Sequence, residues 1–118
     1  MNKENKLIPG LPSGFEDRWN KKLLLKKRLL KVIERNFINY GFDPLETPSF
    51  EISENIGSFL AEDDSNPMSD VFSFNDGAKD ITLRYDLSSP LARFVAQNNQ
   101  ELPPICKRYA IQNVFRNE

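Results

Sequence analysis

The residues whose types and spacing could do chemistry fall in two short stretches. One is Leu83-Arg84-Tyr85-Asp86-Leu87-Ser88-Ser89-Pro90. There a carboxylate and two hydroxyls stand where a strand hands over to a helix N-terminus with its unpaired backbone amides. Asp86 has the charge to hold an ammonium group, and Ser88 has the hydroxyl for a neutral hydrogen bond. The same two residue types are also the usual helix caps, and the spacing allows both roles. The other stretch is Phe115-Arg116-Asn117-Glu118. Alternation along a strand puts Arg116 and Glu118 on one face, where the guanidinium suits a phosphate and the glutamate can accept from an amino group. An ordinary surface ion pair would have the same spacing. The residues by themselves define a candidate ligand surface.

What the composition lacks removes several other chemistries. The chain has no histidine and a single cysteine, Cys106, so an internal disulfide, the usual zinc sites and the Ser-His-Asp or Cys-His nucleophilic sites have no means of forming within it. Sixteen Lys plus Arg against 17 Asp plus Glu leave a formal net charge of -1, which excludes a generally basic nucleic-acid coat and confines any such contact to a local patch. No apolar run approaches the roughly 20 residues of a membrane span, and the polar opening at residues 1–6 has no apolar stretch behind it. The expectation is a cytoplasmic protein with no membrane contact. A chain of 118 residues has room for one domain with a modest core, burying roughly 60–70% of its unfolded surface.

The elements that must position the two stretches are legible from periodicity. Residues 1–12 carry Pro9, Gly10 and Pro12 and read as an irregular lead-in, frayed at residues 1–6. Ser13 and Glu16 have capping-box spacing, and beyond them Trp19, Leu23, Leu30, Ile33 and Phe37 recur on one helical stripe, with Leu25, Leu29 and Val32 beside it. The opposite face holds Lys21, Lys22, Lys26, Lys27, Arg28, Lys31 and Arg35 and reads as a solvated face. Gly41 suits a left-handed helix end. Residues 42–48 alternate, but Pro44 and Pro48 lack amide donors, so this is an edge strand or a strand end, able to pair with another subunit.

Residues 49–70 read as a long loop carrying one helical turn near the apolar patch Ile56, Phe59 and Leu60, with the acidic run Glu62-Asp63-Asp64. Residues 71–74 and 81–84 form a hairpin across Asn75-Asp76-Gly77. Ser88-Ser89-Pro90 starts a shorter helix with a hydroxyl cap and an early proline. Residues 107–115 alternate as a further strand whose period runs on through Arg116 and Glu118, where the sequence stops without a turn or cap, as if cut. The order predicts an α+β fold, an antiparallel sheet with flanking helices.

These motifs resemble the N-terminal part of the catalytic domain of the histidyl-tRNA synthetases, class II aminoacyl-tRNA synthetases, and most closely the alphaproteobacterial form. The likeness covers residues 12–118 and begins with Pro12-Ser13-Gly14-Phe15-Glu16-Asp17. The helix running into Tyr40-Gly41-Phe42-Asp43-Pro44-Leu45-Glu46-Thr47-Pro48 is similar to class II motif 1. That similarity implies a homodimer contact through Phe42, Leu45 and the signature proline Pro48. The segment from Leu83 to Arg93 resembles the family's histidine-binding segment, which implies that Asp86, Leu87 and Ser88 surround the substrate α-amino group; a serine stands at 88 where the family usually has threonine.

The segment from Arg108 to Glu118 resembles the start of motif 2. It implies Arg116 as the catalytic arginine, on the ATP α-phosphate and the histidine carboxylate, and Glu118 near the adenine. The reaction so implied joins histidine and ATP into histidyl-adenylate, with Mg²⁺ carried by the nucleotide and no metal site of the protein's own, then transfers histidine to tRNA(His). An arginine's rigid fork suits charge developing on a phosphate, and no protein nucleophile is required. The rest of motif 2, motif 3 and the anticodon-binding domain would lie beyond Glu118, so residues 1–118 are expected to be inactive alone. Two other readings compete. One is a non-catalytic paralogue such as the regulatory subunit of ATP phosphoribosyltransferase, binding histidine or a partner enzyme. The other is a dimerisation module exposing Trp19, Phe42 and Leu45.

Overall fold

The computed structural model describes residues 6–57 and 70–117, and the chain divides into two compact units, Met1–Asn36 and Phe37–Glu118. Within the first, the Phe15 amide donates to the Pro12 carbonyl at 3.1 Å across a turn with Gly14 at φ 79°. A positive φ at the third position is what a type II turn demands, and glycine meets it without strain. The expected capping box does not form. Ser13 sits inside that turn, well before the helix α1 (Asn20–Asn39) begins, and the Glu16 carboxylate is taken by Arg18 Nε at 2.8 Å and Lys22 Nζ at 3.4 Å. Those two cations, Arg18 foremost, hold the Glu16 carboxyl below the usual range. Asn20 opens the helix at φ 54°. No residue of α1 is buried, and Leu25, Leu29 and Val32 of its apolar side are exposed.

The second unit opens on the last turn of α1, which ends as the sequence predicts. Gly41 adopts φ 82°, its amide donates to Ile38 at 3.0 Å and the Phe42 amide reaches back to Phe37 at 3.0 Å. This paired closure is a Schellman motif. The chain then enters β1 (Asp43–Pro44), which pairs in parallel with β5 (Arg108–Tyr109). The Asp43 and Leu45 amides donate to the Lys107 and Tyr109 carbonyls at 3.0 and 2.8 Å. Pro44 falls between them, where alternation asks for no donor towards β5.

The expected strand at 107–115 is corrected to these two residues. Past Tyr109 the ladder passes to a side chain: Gln112 Oε1 accepts the Thr47 amide at 3.2 Å and Gln112 Nε2 donates to the Thr47 carbonyl at 2.8 Å. The segment then leaves for the other sheet, its Phe115 amide donating to the Arg84 carbonyl at 3.0 Å.

That other sheet is antiparallel, as expected, with β4 (Asp80–Leu83) between β2 (Phe50–Ile52) and β3 (Ser73–Asn75). Strand β2 corrects the expectation of a loop from 49 to 70; Glu51 in its middle and Pro48 before it hide its alternation. The expected helical turn is α2 (Ser53–Gly57), which contains Ile56. Phe59, Leu60 and the acidic run 62–64 lie outside the described residues. Thr82, fully buried on β4, shares its hydroxyl with Ser53 Oγ at 2.6 Å and Ser73 Oγ at 3.1 Å. Among the described residues the buried side chains are as much polar as apolar: Ile56, Val71, Pro90 and Tyr109 against Thr47, Glu51, Thr82 and Arg84. Hydrogen bonding therefore carries much of this interior.

The hairpin from β3 to β4 closes through Asp76, whose Oδ1 accepts the Lys79 and Ala78 amides at 2.7 and 2.9 Å, with Gly77 at φ 98°. These donors, Lys79 first, hold the Asp76 carboxyl below the ordinary aspartate value. A depressed folded pKa makes this contribution present above the unfolded value and lost as pH falls through the folded one. The Ala78 and Lys79 amide resonances should therefore stay fixed from neutral pH to about 4 and move only below it; a midpoint above that range in an NMR titration would contradict the turn geometry.

Candidate functional site

The site is built where β4 ends. Beyond Leu83 the chain turns Arg84 inward to 3% exposure. Its guanidinium donates to three backbone carbonyls: Asn113 at 2.6 Å from Nε, and Thr47 at 2.9 Å and Pro48 at 3.2 Å from Nη1. Its own backbone is tied on both sides, the amide to Ser49 and the carbonyl to Phe115, each at 3.0 Å. Arg84 thus fastens the exit of β1, the entry to β2 and the segment leading to Arg116 to one point. Sequence reasoning gave Arg84 no role. The available signal was its spacing: Arg84 follows Thr82 by two residues, the strand period carried one step past β4, so a buried Thr82 implies a buried Arg84.

From Arg84 the chain lines a cleft of about 340 Å³ with two successive segments as its walls, first Tyr85 and Asp86 and then Ser88, Ser89, Pro90 and Ala92, together with Ile56 from α2. The second wall is the first turn of α3 (Ser88–Asn98). Asp86 Oδ1 accepts the Ser89 amide at 3.0 Å, so the carboxylate caps the helix and is fixed at the cleft wall by doing so. The expected hydroxyl cap is corrected. The N-cap position is Leu87, without a side-chain cap, and Ser88 is the first helical residue and exposed. Both residues lie at the amide-rich end of α3, as the sequence predicts.

The second stretch meets the first. Arg116 Nε donates to the Tyr85 carbonyl at 3.4 Å, and its guanidinium carbon stands 4.3 Å from the centroid of the Tyr85 ring. Arg116 is exposed, and Tyr85 both carries this cation and precedes Asp86. Two stretches read separately in the sequence therefore share one surface: a carboxylate at the cleft wall and a guanidinium beside it. Such a surface can grip a zwitterion or an ammonium–phosphate pair at its two ends. Glu118 lies outside the described residues.

The residues expected at a subunit contact are placed as follows. Phe42 is half-buried, its ring edge-on to Phe37 at 5.7 Å and under Lys107 Nζ at 5.8 Å. Leu45 is half-buried and lines a smaller cleft of about 200 Å³ with Leu87, Tyr109 and Arg108. Pro48 is exposed while its carbonyl accepts Arg84. The expectation that Trp19, Phe42 and Leu45 are all exposed holds for Trp19 only.

Behind the cleft, and missed by sequence reasoning, Glu51 on β2 accepts Arg93 Nε of α3 at 2.7 Å. An acid opposite a basic residue 42 positions on gives no local signal. Among the described residues no helix is long and apolar enough to cross a membrane.

Comparison with known proteins bears on this geometry. The family model described as tRNA synthetases class II core domain (F) matches residues 16–118. The chain is 80% identical over its whole length to a histidine–tRNA ligase of Pelagibacter ubique and covers 25% of that protein. It is 42% identical over 98% of its length to a histidine–tRNA ligase of Rhodopseudomonas palustris, covering 22% of it. The chain thus spans about a quarter of the length of these curated relatives. Among solved structures, 92% of it superposes on a quarter of the histidyl-tRNA synthetase from Nostoc with a TM-score of 0.76 at 28% identity. A Bacillus halodurans protein described as an ATP phosphoribosyltransferase regulatory subunit/histidyl-tRNA synthetase gives 0.79 at 25% identity, over 93% of this chain and 28% of that one.

Proposed function

Since the chain belongs to the tRNA synthetases class II core domain family, we propose that it supplies the amino-acid and α-phosphate grip of a histidine–tRNA ligase. The observation that carries this is the approach of Arg116 to Tyr85 beside Asp86, whose carboxylate caps α3. Asp86 holds the α-amino group of histidine, with Leu87 and Ser88 beside it, and Arg116 holds the histidine carboxylate and the ATP α-phosphate as adenylate forms. Glu118 takes the adenine side. ATP arrives as its magnesium complex, and the histidyl group of the adenylate is then transferred to tRNA(His) as AMP leaves.

The amino-acid carboxylate attacks the α-phosphorus in line, pyrophosphate leaves, and the protein's part is positioning and charge stabilisation. Residues 1–118 are the N-terminal part of the catalytic domain, carrying motif 1 and the start of motif 2, and Phe42, Leu45 and Pro48 contribute to a homodimer contact. The ligase works in the cytoplasm.

The test uses a hybrid ligase in which residues 1–118 replace the matching quarter of the Pelagibacter enzyme, a conservative exchange at 80% identity. Histidine-dependent ATP–pyrophosphate exchange by the hybrid is expected, with none from residues 1–118 alone. A hybrid that binds histidine yet exchanges nothing would move the assignment to a regulatory paralogue, the alternative raised by the Bacillus halodurans likeness. Within the hybrid, Asp86→Asn keeps an oxygen for the Ser89 amide but loses the charge. The histidine KM should rise by about tenfold with ATP KM and melting temperature little changed. An unchanged histidine KM would remove Asp86 from the amino-acid site.

A further inference from the structure

We infer that Glu51 and Arg93 are positioning residues that set the separation of the two walls of the cleft, an inference that rests on the amino-acid site proposed above. One wall is the chain from Arg84 to Asp86, continuous with β4; the other is the first turn of α3. At the near end they are joined through Leu87 and by the Asp86–Ser89 hydrogen bond of 3.0 Å. Further along α3 the tie to the sheet is the ion pair. Arg93 lies one helical turn past Ser89, and its Nε meets Glu51 Oε2 at 2.7 Å. Glu51 stands directly opposite Thr82 in the antiparallel ladder, and Thr82 is two residues from Arg84. A closed circuit results: Glu51, Thr82, Arg84, Asp86, Ser89, Arg93 and back to Glu51.

The chemistry of this pair suits a spacer. The Glu51 side chain is 4% exposed and that of Arg93 23%, so the pair is shielded from solvent screening and keeps its length better than a surface pair does. Arg93 Nη1 donates to Gln97 Oε1 at 2.7 Å, which orients the guanidinium along α3. Glu51 Oε1 is buried without a partner among the described residues, so the carboxylate is oriented by Arg93 and not by a second donor. Neither residue lines the cleft. Their effect on a bound amino acid must therefore pass through the placement of α3 and the carboxylate that caps it.

The test is a comparison of KM values in the hybrid ligase carrying Glu51→Ala, Arg93→Met or both. Each single variant should raise the histidine KM about tenfold or more while ATP KM changes less than about threefold, because misplacement of one wall disturbs the amino acid and not the nucleotide. The double variant should be no worse than the worse single one. Glu51→Gln retains an acceptor for Arg93 Nε and should recover part of the loss. If Glu51→Ala does not fold, Arg93→Met breaks the pair from its more exposed side. A lowered melting temperature with histidine KM unchanged, or a parallel rise of both KM values, would overturn the inference. Failure of the unsubstituted hybrid to exchange pyrophosphate would instead overturn the synthetase reading on which it rests.

Discussion

Replacing Arg116 with alanine in the hybrid ligase should lower histidine-dependent pyrophosphate exchange by about 10²- to 10³-fold, the usual cost of removing one preorganised donor from a developing oxyanion. The loss should fall on kcat as well as on KM, because the α-phosphate carries its largest negative charge in the transition state. Arg116 is exposed and rests on Tyr85 through a 3.4 Å hydrogen bond and its ring face. Its removal should therefore leave the melting temperature within the small range of surface substitutions. Arg116→Lys keeps the charge but not the planar fork and should recover only part of the rate. Exchange by the alanine variant at the unsubstituted rate would place the α-phosphate grip elsewhere.

Arg84→Met should destabilise the chain by about 3–5 kcal/mol, the cost of leaving three buried carbonyls without their donor. Methionine fills much of the same volume, so the effect isolates the hydrogen bonds. The Thr47, Pro48 and Asn113 carbonyls lose their guanidinium donor at a point that is 3% exposed. Each unsatisfied buried acceptor costs about 1–3 kcal/mol, of which water entering the gap recovers a part. Against a total stability of roughly 5–15 kcal/mol, that loss is large. It should appear as a shift in the midpoint of urea denaturation of the 118-residue chain. Arg84→Lys, able to serve fewer of the three acceptors, should fall between. A shift under about 1 kcal/mol for the methionine variant would mean that the segments it joins are held by other bonds.

The parts of this protein legible in its sequence are those whose cause is local. Gly41 closes α1 because a left-handed residue is needed there and glycine supplies it. Asp76-Gly77 marks the hairpin because one short carboxylate can take two amides of its own turn. The carboxylate at 86 followed by the hydroxyls and proline at 88–90 announced a helix N-terminus. The error there was one of detail: Asp86 caps the helix and Ser88 begins it.

The parts decided by tertiary structure are those in which the interior is polar. Hydrophobic alternation locates a strand by its apolar face, and β2, β4 and the residue just past β4 turn Glu51, Thr82 and Arg84 inward, so their periodicity misleads. Apart from Ser73, nine residues from Thr82, their partners lie 29 to 42 residues away along the chain; only folding brings them together. The strand expected from 107 to 115 shortened to Arg108–Tyr109 for a related reason: a ladder needs a neighbouring strand, and past Tyr109 the neighbour is the side chain of Gln112 closing on Thr47. Residue types and spacing thus determined which groups could bind a charged ligand. Long-range hydrogen bonds among buried polar groups decided where those groups stand.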